Sequence, residues 1–314
     1  MKCPICKSSH SVPSFNLWDD RYGYPGKFKL RRCRICGHVF LESSFSPDQL
    51  ARLYTDYYPR SALDADEYCP HIEKKKRDCW LNGEYASAFR WVPKDVRILD
   101  IGCGFGESLG YHASRGCDVY GVEADENIRR VAEKQGFRVH VGVFDPTIYE
   151  PNFFDYITMD QVMEHMTDPI ETLRRAARIL KPKGQIIITV PNSQGWGARI
   201  FSQRWINWHT PYHQHFFSKE SMGMTARKAG LEILKVKSIT NSHWLSFQWH
   251  HLLFYPKYTV ASDFWSPNCG PVPKKRYWRA LLALTHITKI NHMITRLFDA
   301  LGYGDNHLFI LEKP

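Results

Sequence analysis

Residues 98–110 read "ILDIGCGFGESLG". An apolar run around one aspartate is the signature of a buried strand, and glycines follow it at 102, 104 and 106. Glycine lets a chain turn with positive φ and brings the backbone close to a ligand with no Cβ in the way. What such an open turn holds is decided by its neighbours.

From residue 96 strands and helices alternate. "VRILDI", "CDVYGVE", "FRVHVG", "FDYITM" and "GQIIITV" read as strands; "ESLGYHAS", "ENIRRVAEKQ" and "DPIETLRRAARILKP" read as helices between them. This pattern predicts an α/β, Rossmann-like fold: a largely parallel sheet with helices on both faces. Ligands of such sheets sit at the carboxyl ends of the strands, where the glycine turn falls. A phosphate-gripping loop would end in Gly-Lys-Ser/Thr, and none follows. A dinucleotide fingerprint needs a third glycine at 107, where this chain has Glu107. A carboxylate at a helix N-terminus competes for the field a pyrophosphate would use. A nucleoside without phosphates fits better. Glu123 ends the second strand, placed to accept both ribose hydroxyls. Asp100 precedes the turn, where it would hold an ammonium group directly or through water. An adenosine with an amino-acid tail and a sulfonium is S-adenosylmethionine.

"ILDIGCGFGESL", "GVEAD", "FDYITMDQVMEHMTDP" and "ARILKPKGQIIITVPN", in this order, closely resemble the class I S-adenosylmethionine-dependent methyltransferases. The resemblance spans roughly residues 95–240 and the final strand. It implies a seven-stranded sheet whose last, antiparallel strand is "HLFILEKP". It also implies cofactor contacts from Asp100, Gly102, Cys103, Gly104 and Glu123, an adenine pocket at Phe144 and Asp145, and a methionine end beside Asp160 and Gln161.

Methyl transfer from a sulfonium is an in-line displacement, so positioning supplies much of the catalysis. A hydroxyl or amine acceptor also gives up a proton, and histidine is suited to take it near neutral pH. Histidines gather where the acceptor is expected: His165 in "MEHM", then His209, His213 and His215 in "WHTPYHQHFFS". Of these, His213 or His215 is the preferred base. "DQVMEH" further resembles a metal-assisted subgroup that includes ubiquinone-pathway O-methyltransferases and small-RNA 2′-O-methyltransferases. There a Glu-x-x-Glu-His run, sometimes with a later histidine, holds a divalent ion. In this chain Gln161 stands at the first glutamate position, which weighs against a catalytic ion at Glu164 and His165. His213 or His215 would complete such a site.

The N-terminus holds "CPIC" at 3–6 and "CRICGH" at 33–38. Two C-x-x-C knuckles predict a zinc ribbon in which Cys3, Cys6, Cys33 and Cys36 surround one structural Zn2+ and leave no open coordination position. The expected organisation is a ribbon over 1–42, a helical linker over 43–94, and a methyltransferase domain over 95–314 with an insert at 241–306. Within the linker, 46–59 and 73–92 read as helices; Tyr54, Tyr57 and Tyr58 pack there or line a substrate mouth.

The chain has 314 residues, a formal charge of +10 and nine cysteines. No run approaches the length of a membrane span, and the paired cysteines point to a reducing compartment, so we read the chain as cytoplasmic. The insert, with "HWLSFQWHHLLFYPKY" and a basic amphipathic stretch after it, is expected to act as a lid, a dimer element or a peripheral contact with the inner membrane face. Ribbon followed by methyltransferase domain resembles bacterial enzymes of surface-polysaccharide and secondary-metabolite pathways. The leading expectation is therefore O-methylation of a sugar, glycan or glycolipid. The alternatives are methylation of rRNA or tRNA, favoured by basic charge, and a non-catalytic binding module.

Overall fold

The computed structural model describes residues 1–43, 45–46, 49, 52–58, 66, 68–265 and 276–314. Its centre is a seven-stranded sheet built from β4 (Arg97–Ile101), β5 (Asp118–Glu123), β6 (Arg138–Val141), β7 (Phe154–Asp160), β8 (Leu180–Pro191), β10 (Glu232–Ile239) and β11 (Asn306–Glu312). The spatial order is β10-β11-β8-β7-β4-β5-β6. Strands β4 to β8 pair in parallel, while β11 runs antiparallel to both β8 and β10, as the sequence predicts. The central strands are apolar on both faces because helices cover both: Ile98, Leu99, Ile157, Ile186, Ile187 and Ile188 are all buried. The helix Pro169–Ile179 starts where Asp168 accepts from the Ile170 and Glu171 amides, and its Leu173, Ala176 and Ala177 face the sheet.

The N-terminal strands β1 (Ser11–Leu17), β2 (Phe28–Cys33) and β3 (Val39–Leu41) form an antiparallel sheet. Its fourth strand, β9 (His215–Phe216), comes from the far part of the chain and pairs with β3. Leu17, Phe28, Leu30, Val39 and Leu41 share one apolar cluster with Trp205, Trp208 and Phe216. Cys3, Ile5 and Phe40 join the main core itself. The ribbon segment is thus welded to the large sheet by hydrogen bonds and buried apolar area.

Two linker expectations are altered. The helix expected over 73–92 is broken: an α-helix covers Lys76–Asn82, then 3₁₀ turns cover Glu84–Ala86 and Ala88–Trp91. Gly83 makes the break with φ of +70°, at a place where a Cβ would run into the Thr240 carbonyl. Of the stretch 46–59, Leu53–Tyr57 forms a single π-helical turn, and the positions 47–48, 50–51 and 59 lie outside the described residues. The insert contains helices over Ser242–Leu253, Arg276–Ile287 and Ile290–Ala300.

Candidate active site

The glycine turn leaves β4 and enters the helix Glu107–Ala113. Gly102 (φ +74°) lies against Val162, whose Cγ2 would be 2.5 Å from a Cβ, while a Cβ on Gly104 would meet open space. The backbone is therefore bare toward the crevice at Gly104 and packed at Gly102. Glu123, at the end of β5, accepts from the Gly104 amide and the Asp125 amide, each at 2.9 Å. This fixes its carboxylate beside the turn, where a ribose would lie.

Asp100 is buried and both its oxygens are occupied, by the Ser108 hydroxyl and by the Thr158 hydroxyl at 2.7 Å. Burial pushes its pKa up to about 7. Its observed partners tie β4 to β7 and to the following helix, so an ammonium group would reach it only by sharing those oxygens. The buried Cys103 sulfur lies against Gly121, and the Cys103 amide donates to the Val122 carbonyl. Asp145 accepts from the Thr147 amide and hydroxyl, which hold its carboxyl below the usual range. Phe144 packs half-buried on the core next to it. Asp160 accepts from the Ala88 amide at 3.1 Å and from the Thr189 hydroxyl, and burial raises it to about 6. The Gln161 side-chain amide donates to Thr189 Oγ1 at 3.2 Å, so this residue is spent on the sheet.

Beyond β7 the chain makes a 3₁₀ turn over Met163–His165. Glu164 there is fully buried, and among the described residues neither carboxylate oxygen has a hydrogen-bond partner. Burial drives its pKa well above the usual carboxylate range. One donor atom each from Glu164, His165 and His213 lie within 4.8 Å of one another. His165 Nδ1 is 3.1 Å from the Tyr212 carbonyl, and His213 Nδ1 is 2.8 Å from the Asn207 carbonyl. A ring that donates Nδ1–H to a carbonyl presents its Nε2 lone pair, the tautomer a metal ion binds. Burial holds His165 at about 4 and His213 well below 6.5, so both rings are neutral, again the ligand form. A divalent cation would take the place of the proton that burial otherwise leaves on Glu164, and would occupy carboxylate lone pairs that have no other partner among the described residues. The residues present fit such an ion, although Gln161 does not join them.

The third histidine is placed elsewhere. His215 lies in β9 and its Nδ1 is 3.1 Å from His38 Nε2, in the seam with the ribbon. Its ring also meets the Met166 carbonyl, and burial lowers it to about 4. It stands apart from the His165–His213 group, so the structure separates the two histidines that the sequence offers as equivalent bases. Alternation explains this: in an extended segment neighbours two apart share a face, but β9 begins only at His215.

The acceptor side is roofed by rings. Tyr54 Oη is 3.2 Å from His165 Nδ1, and Tyr54, Tyr58, Tyr22 and His209 all pack on Tyr212 at 4.7–5.6 Å between ring centroids. Burial, opposed by Arg21 and reinforced by Glu123 and Asp125, raises Tyr58. The π-helical turn thus lies between the ribose-side carboxylates and the histidine group. Tyr212 and Asn207 carried no recognisable motif, whereas His209 belongs to the histidine cluster that the sequence shows.

At the far N-terminal end the four thiols converge. Cys3 Sγ is 3.6 Å from Cys36 Sγ, and Cys6 Sγ is 3.5 Å from Cys33 Sγ. All four sulfurs lie within 4.8 Å of one another. Tetrahedral zinc with Zn–S near 2.3 Å spaces its ligands by about 3.8 Å, so this set fits. Shared hydrogen bonding with Cys36 draws Cys3 down to about 5, toward the thiolate such a site requires.

The family model described as a methyltransferase domain matches residues 54–236, and the chain belongs to that family: it is a class I S-adenosylmethionine-dependent methyltransferase. Among curated relatives, a ubiquinone biosynthesis O-methyltransferase of Pseudomonas aeruginosa is 29% identical over 157 residues, covering 46% of this chain and 68% of that protein. Among solved structures, phosphoethanolamine N-methyltransferase 2 of Haemonchus contortus, in complex with S-adenosyl-L-methionine, shares 21% identity with a TM-score of 0.50. That match covers 88% of this chain and 62% of the other. The [4+2]-cyclase SpnF matches with 17% identity and a TM-score of 0.50 over 87% of this chain and 97% of its own. Both show the fold. That one of them is a cyclase leaves the reaction to be argued from the site.

Proposed function

We propose that this methyltransferase methylates a hydroxyl oxygen of a saccharide, with a divalent cation held by Glu164, His165 and His213 beside that oxygen. The observation that carries the reading is Glu164, a buried carboxylate with two unpartnered oxygens next to two neutral imidazoles. When bound, the cation supplies Lewis acidity that eases loss of the hydroxyl proton. The chain does the rest. The Asn207 and Tyr212 carbonyls fix the two rings. Glu123 and the bare backbone at Gly104 seat the donor. Tyr54 and Tyr58 pack against each other and border the space between rings and donor. The acceptor oxygen forms its bond to the methyl carbon as the sulfur–carbon bond breaks, S-adenosylhomocysteine leaves, and the hydroxyl proton passes to water. The name of the Pseudomonas relative, an O-methyltransferase, supports oxygen as the acceptor atom. The thiol geometry supports a structural zinc at Cys3, Cys6, Cys33 and Cys36.

The decisive variant is Glu164→Gln, assayed with labelled donor on fractionated lipid, polysaccharide, RNA and small molecules. Transfer to the saccharide fraction is expected to fall roughly a hundredfold or more, with donor affinity held within about threefold. Manganese binding, read by calorimetry, is expected to vanish with it. Full transfer by chelator-treated wild type, or label confined to RNA, refutes the reading.

The insert supports a peripheral membrane contact. Tyr277, Trp278, Leu284, Ile287, Met293 and Leu297 are exposed on its last two helices. Over 274–300 the sequence carries Lys274, Lys275, Arg276, Arg279 and Lys289, while Arg296 and Asp299 pair with each other in the interior. Among the described residues no helix is long and apolar enough to cross a membrane. Sedimentation with phosphatidylglycerol vesicles, but not with phosphatidylcholine vesicles, is the expected result.

A further inference from the structure

We infer that His243, His286 and His292 form an acid-sensitive latch that holds the Arg276–Ile287 helix against the rest of the insert, and that their protonation frees it. What the freed helix does at a lipid surface rests on the membrane contact proposed above; the latch itself does not.

The three rings come from the three helices of the insert. His243 lies in Ser242–Leu253, His286 in Arg276–Ile287 and His292 in Ile290–Ala300. The His286 ring stands between the other two, its centroid 4.5 Å from that of His243 and 4.5 Å from that of His292. The helix that carries it has little else to hold it. Among its described side chains none is fully buried, and Tyr277, Trp278, Leu281, Leu284 and Ile287 are exposed. Local opening is easiest where few apolar contacts are buried, so this helix belongs at the low-stability end of the fold.

The hydrogen bonds leave no place for an added proton. The Ser242 hydroxyl donates to the Asn82 carbonyl at 3.0 Å, so its oxygen accepts from His292 Nδ1–H at 2.5 Å. His292 is only 1% exposed, and its Nε2 has no partner among the described residues; nor has the buried His286 Nδ1. A proton added at either nitrogen finds no acceptor and meets cations. The Lys289 charge acts on all three rings, Arg296 on His292 and Lys74 on His243. The nearby acids are already engaged: Glu84 by Lys74 and Arg90, Asp299 by Arg296 and the Thr240 amide. Burial, reinforced by these cations, lowers all three histidines, His292 to about 4. The same cations repel a metal ion, so the trio suits proton sensing better than metal binding.

The docked helix keeps the rings neutral, whereas an undocked one lets them titrate near 6.5. Docking is therefore intact above that value and weakens as pH falls toward 4. Between pH 7.5 and pH 5.5 His292 alone shifts the balance roughly tenfold toward undocking, and the other two rings add to it. The negative potential of an anionic bilayer concentrates protons at its surface and favours the same release.

The test is hydrogen exchange of the full chain at pH 7.5 and 5.5, read by mass spectrometry and corrected for the intrinsic rate at each pH. Protection of the Arg276–Ile287 amides is expected to fall roughly tenfold or more at pH 5.5, while the β8 amides keep theirs. His292→Phe fills the space without a titrating nitrogen and is expected to cut that fall severalfold. His286→Phe, at a half-buried ring, serves should the first variant fold poorly, and is expected to reduce the fall as well. Unchanged protection at pH 5.5, an equal fall in β8, a fall that survives both variants, or protection raised by added Zn2+ at pH 7.5 overturns the latch. Sedimentation with phosphatidylglycerol vesicles, run alongside, separates the two readings. Acid-enhanced binding that His292→Phe abolishes supports both. A helix freed at pH 5.5 in a chain that binds vesicles at neither pH sinks the membrane contact and leaves the latch; vesicle binding with unchanged protection sinks the latch alone.

Discussion

The donor crevice and the histidine group lie on the same edge of the same sheet, yet their parts are drawn from very different distances along the chain. Gly102, Gly104 and Glu123 fall within 22 consecutive residues, and their partners are the next strand and the next turn. The other half joins Glu164 and His165 to His213 through a segment that the ribbon holds. The Leu41 amide donates to the Gln214 carbonyl at 2.9 Å, and the Gln214 amide donates to the Glu164 carbonyl at 2.8 Å. The Ser218 hydroxyl donates to the Cys36 carbonyl at 2.7 Å. A backbone path therefore runs from the cysteine knuckle to the proposed metal ligands and bypasses the glycine turn. On the proposed site, donor binding is a property of the sheet, and the acceptor half is a property of the sheet and the ribbon together.

The hardest blow to this division is Cys36→Ser. Apparent stabilisation by structural zinc is about 10–16 kcal/mol in small domains, so removal of one thiolate from the proposed zinc site would unseat the knuckle. Methyl transfer is expected to drop below detection while S-adenosylhomocysteine still binds within about threefold of wild type, measured by calorimetry. Equal loss of both would show that the two halves are one unit, and the comparison would fail. His38→Gln is the gentler probe, since it disturbs the His38–His215 contact and the ring packing on Phe40 and Phe217 in the same seam but leaves every thiol in place.

The same difference in range explains what the sequence disclosed. The strand–helix alternation and the glycine turn were legible because each depends on local pattern: buried apolar runs, capping residues and glycines; the antiparallel last strand came only from the family resemblance, since strand direction is not written in a local run. The cysteine quartet was legible because two identical knuckles announce a shared ligand. The histidine group was legible only as a cluster. Nothing local separates His213 from His215; their roles diverge because β3 claims His215 and the Asn207 carbonyl orients His213. The weight given against an ion at Gln161 followed from counting carboxylates in a motif. The sequence carries no mark of Glu164 being stripped of every partner.

A smaller and sharper test acts within the donor half. Gly102→Ala places a methyl 2.5 Å from Val162 Cγ2 and forces alanine into a left-handed conformation costing about 1–2 kcal/mol. Donor affinity is expected to fall roughly tenfold. Val162→Ala opens the space, so the double variant is expected to recover the packing part of the loss and keep the backbone part. Val162 immediately precedes the turn that bears Glu164. If the double variant instead recovers donor binding and loses manganese binding, the two halves communicate through Val162 and the division needs a bridge.

The smallest expected effect concerns the scaffold beneath the donor turn. His112 sits in the helix that follows the glycines, is fully buried, and has no partner on either ring nitrogen. Burial, with Arg115 and His71 adding to it, lowers its pKa from 6.5 to about 3. The folded state keeps this ring neutral, whereas the unfolded chain protonates it as pH falls below 6.5. Stability is therefore intact above that value and lost progressively toward 3. At pH 5 the loss from this one residue is about 2 kcal/mol, and at pH 7.5 it is close to nil. His112→Leu keeps the volume and removes the proton-binding site, so its stability relative to wild type is expected to improve by about 2 kcal/mol between pH 7.5 and pH 5. Urea denaturation at the two pH values measures this directly. Parallel stability curves for variant and wild type would mean that the His112 ring is reached by water or by a partner, and that the helix under the donor turn is less tightly sealed than its packing indicates.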